Sequence, residues 1–230
     1  AVAAGTLLVA GMYASPEVMA QSFTEALTGG TPKVDVRLRY ENVDQDGISN
    51  EADAYTVRAR VGYESGTYKD LSGFVELESV QVLGDEDYNS GLNGNTDYPV
   101  VADPDESEIN QVYLQYTGIS DTKLKGGNQR IILDNARFVG NVGWRQLEQA
   151  YDAFLVQNKS LPDTTLSYCY VWDVNDILSR NQDHSTHLLN ASYSGLPFGT
   201  VTGYGYFIEF EESGAEALSQ QTFGIRFAGA

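Results

Sequence analysis

Cysteine is almost missing. Cys169 stands alone, so neither a disulfide framework nor a Cys-rich zinc site holds this chain together. Histidine is nearly as scarce, with only His184 and His187, and no G-x-S-x-G elbow is present. Both shortages argue against hydrolytic chemistry built on a Ser–His couple. Lys and Arg number 14 against 32 Asp and Glu, a formal charge of −18. That excludes a general nucleic-acid binder, which needs a basic surface to displace phosphate counterions. Beyond the first eleven residues no apolar run approaches the ~20 residues of a transmembrane helix. Proline (6) and methionine (2) are few, whereas Tyr (15) and Gly (23) are plentiful. This is a β-rich composition, and its 42% hydrophobic content is too high for a disordered acidic tail. The totals alone describe a soluble acidic β protein.

The order of the residues argues otherwise. Residues 1–11 (AVAAGTLLVAG) are apolar and uncharged, and Val18 and Ala20 are small residues placed before Gln21 as a signal peptidase requires. The expectation is a cleaved secretory signal over 1–20, truncated at its front because it lacks an initiating Met and a basic stretch. A buried N-terminal helix is the alternative. Residues 21–32 read as a linker, and 33–230 as part of a barrel whose C-terminal part is missing.

From Lys33 the hydropathy alternates. Val34, Val36, Leu38 and Tyr40 share one face, and Lys33, Asp35, Arg37, Arg39 and Glu41 the other. Period two means a strand with one apolar and one charged side. Similar patterns over 55–64, 71–82, 109–117, 122–133, 147–157, 165–174, 189–193, 203–210 and 222–227 bring the count to ten. Tyr204, Tyr206, Ile208 and Phe210 fall on the apolar side, as do Tyr170, Trp172 and Val174. The phase breaks within 122–133, and a bulge at Gly126-Gly127 is expected to return Arg130 to the polar face.

Short connections (64–70, 117–121, 158–163, 194–199) alternate with long polar ones (42–53, 83–108, 134–147, 175–185, 211–220). Outer-membrane barrels are built this way, with periplasmic turns and extracellular loops. Packing the charged face as a dry core would bury unpaired charges, whereas a wet lumen keeps them hydrated. The fold expected is therefore an all-β, transmembrane, antiparallel up-and-down β-barrel whose apolar, Tyr-rich face meets lipid. The pore-lining candidates are Lys33, Arg37, Arg39, Arg58, Arg60, Glu76, Glu78, Lys123, Lys125, Arg130 and Arg226. Hairpin closure sets Arg37 roughly across from Arg58, and Arg58 roughly across from Glu76. Such a row either sets charge selectivity or holds strand register.

The acid concentrates in 84–108, with Asp85, Glu86, Asp87, Asp97, Asp103, Asp105, Glu106 and Glu108 and no Lys or Arg. This reads as a cation-attracting mouth or as a plain solvated loop. Asn42, Asp44, Asp46, Gly47 and Asp53 have the spacing of an EF-hand calcium loop, although strands replace the helices and a polar hairpin loop explains them equally. No metal or cofactor is expected.

The segment QRIILDNARFVGNVGWRQ (129–146), with RLRYENVDQDG (37–47), AYDAFLVQNKSLPDTTLSYCY (150–170) and HLLNASYSG (187–195), resembles the alginate-export family of proteobacterial outer-membrane porins. The resemblance covers about residues 31–230. It implies a barrel of about 18 strands, an even number within the range such barrels adopt, with an Arg- and Lys-rich pore for a polyanionic uronate polymer. It carries over Arg37, Arg39, Arg58, Arg60 and Arg130, and less firmly Arg137 and Arg145. The function expected is a passive channel for anionic, uronate-like solutes, with outer-membrane lipid and a small or polymeric solute as partners and no nucleic acid. The alternatives are a soluble exported binding or adhesion module and a barrel enzyme, for which Asp183-His184 is the one candidate pair. Fractionation separates the first two: the protein should leave membranes only in detergent, and release into buffer alone would refute the barrel.

Overall fold

The structure, a computed structural model, describes residues 2–9, 19–212 and 214–229. Its strands are β1 (Val2–Val9), β2 (Thr31–Val43), β3 (Ala52–Glu64), β4 (Leu71–Val82), β5 (Glu106–Ile119), β6 (Thr122–Gln129), β7 (Ala150–Asn158), β8 (Thr164–Asn175), β9 (Asn181–Leu196), β10 (Gly199–Ile208) and β11 (Gln220–Gly229). They form one sheet in strict chain order, each antiparallel to the next. The ten expected strands are β2 to β11. One short helix, α1 (Phe23–Thr28), precedes them, and the Ser22 hydroxyl caps it by accepting from the Glu25 N–H at 3.1 Å. The secretory reading of 1–20 falls on β1 and on 10–18, which lie outside the described residues.

The pleat sorts the side chains as the alternation requires. Val34, Val61, Leu77, Leu114, Leu189, Phe223 and Ile225 all lie exposed on the outer face, Ile225 at 82%. Exposure on that scale along so many strands marks a surface made to meet another apolar phase. Near the long-loop ends Tyr40 stacks on Tyr55 with ring centroids 4.5 Å apart, as in an interfacial aromatic girdle. Tyr40 also donates to Asp53 at 2.7 Å, and Asn42 donates to the same carboxylate at 3.1 Å. Two of the calcium-spacing residues thus close a hairpin. No group of three His, Cys, Asp or Glu gathers as a metal site among the described residues.

Three details of register depart from expectation. Arg37 does face Arg58, but Arg58 faces Val80, Arg60 faces Glu78 and Glu76 faces Gly62. The cause is the β3–β4 connection, where Tyr68 and Leu71 pair tightly and Ser65 N–H reaches the Gly73 carbonyl, so the ladder starts only at Glu64–Phe74. The bulge expected at Gly126-Gly127 is absent. Pairing runs unbroken through Gly126-Gly127 on both sides of β6, the β5–β6 register shifting only between Tyr116 and Ile119, and Gly127 adopts φ +122° where a side chain would strike the Val112 carbonyl. Bulges instead sit at Asn110 and Trp172, the positions the ladders skip. The second turns Val174 inward. On β10, Tyr204 and Tyr206 point inward rather than to lipid, and Phe223 covers Gly205 on the outer face.

Burying a charge on the outer face tests the orientation. Leu77→Arg should cost about 2–4 kcal/mol if the residue lies near the bilayer midplane, read from denaturant unfolding in lipid vesicles. A change near zero would place that face in water.

Candidate functional site

Residues 130–149, between β6 and β7, do not project from the rim. They lie across the inner face of the sheet. The segment is longer than expected because β6 stops at Gln129 and β7 begins only at Ala150. Its two halves meet two kinds of wall.

The first half is apolar. Ile131 and Val139 join Tyr151, Ala153, Cys169, Val171, Val174, Leu188 and Tyr206 in one buried cluster, with Leu133 and Phe138 packed against it. Phe138 lies 5.9 Å from Tyr204 and 6.3 Å from Tyr206, centroid to centroid. Tyr206 donates to Asp134 at 2.9 Å and accepts from Asn190 at 2.9 Å, which fixes the turn of the segment. Burial of each such side chain contributes about 1.5–3 kcal/mol. The inward turn of Tyr204 and Tyr206 follows from this, since the segment needs an apolar bed.

The second half is ionic. Gln146, Leu147 and Glu148 are fully buried. Arg37 donates to Gln146 Oε1 at 2.8 Å and to the carbonyls of Gly143 (3.0 Å) and Arg145. Gln146 N–H donates to Asp103 at 2.8 Å, and its amide reaches Thr56 Oγ1 at 2.8 Å. Asp103 comes from the acidic loop; it is buried, within 3.6 Å of Arg39 and Arg145, and not part of a solvated mouth. Arg39 and Arg145 both bind Glu41. Arg58 pairs with Asp35, and Arg60 with Glu78 at 2.9 Å.

Glu148 sits where these pairs meet. It pairs with Arg130, lies 3.5 Å from Arg60, and accepts from Asn110 at 2.7 Å and Asn141 at 2.5 Å. The bulge at Asn110 matters here. It turns Asn110 and Gln111 inward together, and their amides grip Glu76 at 2.8 and 3.0 Å while Asn110 also serves Glu148. Burial alone would push the Glu148 carboxyl up, but the hydrogen bonds and charges of Arg130 and Arg60 outweigh it and hold it below its ordinary value. Arg130 shows the reciprocal effect: burial opposes its charge, and Glu148 raises its pKa in spite of that.

Beneath the segment, toward the short turns, a cavity of about 310 Å³ remains, bordered by Lys33, Asp35, Arg60, Glu76, Lys125 and Arg130. Lys125 lies 3.6 Å over the Tyr113 ring, and Lys33 pairs with Glu64 at 2.5 Å.

This architecture matches known proteins. The family model described as alginate export covers residues 32–230. The chain belongs to the alginate export family. Its fold is similar to that of OccAB1 of Acinetobacter baumannii, an outer-membrane porin, with a TM-score of 0.61 and 16% identity over 79% of this chain. The match covers 45% of that protein, so the chain spans less than half its length. No curated protein matches. The sheet thus has the fold of a stretch of up-and-down β-barrel wall.

Within this alginate export wall, Arg39, Arg58, Arg60 and Glu78 are buried beneath the crossing segment, where the sequence reading has them bordering water. Lys123 is exposed near the short turns, and Arg226 lies apart on β11 beside Asp134 and Arg137. His184 is buried against Phe210 with Nδ1 3.1 Å from Thr186 Oγ1, and Asp183 points to the opposite face. They form no catalytic couple. His187 faces outward and bonds Tyr168 at 2.8 Å. Gln146, Glu148 and Asn110 escaped the sequence reading, which has Asp103 in the acidic mouth rather than buried against Arg39 and Arg145. The signal lay in 130–149, where Ile131, Ile132, Leu133, Phe138 and Val139 precede the polar Arg145, Gln146, Glu148 and Gln149, a pattern that suits a docked segment better than a free loop.

Glu148→Gln should release the segment, because Arg130 loses its close carboxylate partner and keeps only Glu76 at 3.8 Å, while Arg60 stays paired with Glu78. The expected cost is about 3–5 kcal/mol of docking, seen as new protease cleavage within 134–143. The sign with pH follows from the lowered carboxyl: docking is fully present above the ordinary carboxylate range and is lost as acid titrates Glu148 below it. Conductance stepped into acid should change in the parent and stay level in Glu148→Gln.

Proposed function

We propose that this wall belongs to a passive outer-membrane channel for anionic solutes, small or polymeric, of uronate-like chemistry. One observation carries the reading: a twenty-residue segment lies on the inner face rather than outside it (130–149). It narrows whatever space the closed barrel encloses, as a constriction must if selectivity is set at close quarters. The family's description, alginate export, supports the solute class. Lys33, Lys125 and Arg130 border the cavity left open and are the groups placed to meet an anion. The buried arginines act differently. They are balanced by carboxylates and serve to anchor the segment.

The reading extends to both ends of the sheet. Residues 1–20 serve as an export signal, cleaved before Gln21. In the structure Val2–Val9 pairs with β2, and removal of the leader frees that edge for another strand of the barrel. Such an edge cannot stay unpaired in lipid.

Three measurements test this. N-terminal sequencing of the outer-membrane form should begin at Gln21. Planar bilayers should show discrete conductance steps, and their absence overturns the channel. In asymmetric salt, Lys125→Gln should move the reversal potential toward cation preference. Arg58→Ala should instead chiefly destabilise the docked segment, leaving Asp35 without its partner.

A further inference from the structure

Trp144 is held with most of its ring outside the packing of the segment that carries it. It is 60% exposed, while its four successors Arg145, Gln146, Leu147 and Glu148 are each 8% exposed or less. Leaving so large an apolar surface in water forgoes burial free energy. The exposure does not come from a loose tip. The carbonyls of Gly143, Trp144 and Arg145 accept from Arg37, Arg39 and Arg37 in turn, and Arg145 N–H closes a turn onto Val142 O at 3.0 Å. The backbone on both sides of the indole is therefore clamped to β2.

The ring is also backed by charge. The guanidinium carbons of Arg145 and Arg39 lie 4.0 and 5.3 Å from its centroid, within cation–π range. Both guanidinia converge on Glu41 and Asp103, and the ring they contact still leaves most of its surface open. Arg37, whose donors reach Gln146 and backbone carbonyls, has no carboxylate partner among the described residues. An open, rigid aromatic face next to a guanidinium without a counter-anion matches one chemistry. The apolar C–H face of a pyranose ring covers the indole, and a carboxylate on that ring turns to the cation.

We propose that Trp144 is a stacking platform for a hexuronate residue, with Arg37 supplying the charge that favours its carboxylate. This rests on the reading of the wall as an anion channel and places one subsite in it. The stacked residue sits on the docked segment, above the cavity bordered by Lys125, so a uronate chain meets the indole and the lysine in succession.

The protein, purified from outer membranes in detergent, is titrated with a galacturonate trisaccharide and, as control, with maltotriose. The uronate trimer should alter the part of the indole emission that is lost in Trp144→Ala, and maltotriose should do so far more weakly. Trp172, on the outer face, should not respond. In planar bilayers Trp144→Ala should weaken current block by the uronate trimer roughly tenfold, the worth of one aromatic stack. Trp144→Tyr should restore most of it, and single-channel conductance without sugar should persist. Equal block in Trp144→Ala, with no Trp144-dependent emission change, overturns the platform and leaves the channel standing. If no channel forms, the emission titration decides alone: a uronate response sustains the platform and silence overturns it.

Discussion

Charges on the inner face of this sheet are tolerable only because they are held in pairs. Arg39 and Arg145 meet Glu41 and Asp103 in one cluster, and Arg58, Arg60 and Arg130 meet Asp35, Glu76, Glu78 and Glu148 in a second. Gln146 joins the two into one network, its N–H donating to Asp103 and its carbonyl accepting from Arg58. Removing one member strands another in a poorly hydrated place, where the desolvation penalty is no longer repaid. The network therefore ties the second and third long loops to β2, β3 and β4. Without it the segment 130–149 would have only its apolar half to hold it.

The two halves of that segment make a division of labour along the wall. Ile131, Phe138 and Val139 are placed by burial, which is non-directional and tolerant of small shifts. Arg145, Gln146 and Glu148 are placed by hydrogen bonds and ion pairs, which set position and rotation more narrowly. The more exact half carries the exposed Trp144 and borders the open cavity. A selective surface needs that order, because a recognition group is only as precise as the shell holding it.

Much of the fold was legible in the sequence. Alternation from Lys33 to Phe227 marks ten strands, and the rhythm of short and long connections marks their up-and-down order. Both signals are local, and a two-residue period survives whatever the strand packs against. Register was less legible. The pairing of Arg60 with Glu78 depends on how Ser65, Tyr68 and Leu71 fold a turn, and turn length counted in residues does not reveal it. The inward Tyr204 and Tyr206 were missed because an aromatic suits lipid and a buried apolar bed equally well.

By itself, the order of residues settled that this chain makes amphipathic antiparallel strands with one face for lipid, since hydrophobic period and strand pleat are the same geometry. It also located the arginines on the opposite face. What those arginines do was decided only in three dimensions. Arg58 and Asp35 lie 23 residues apart, Arg39 and Trp144 lie 105 apart, and Arg37 and Gln146 lie 109 apart. Whether a charge faces water or a partner depends on which distant segment returns to cover it. That return is driven by burial and pairing summed over the whole segment, and no local pattern records it.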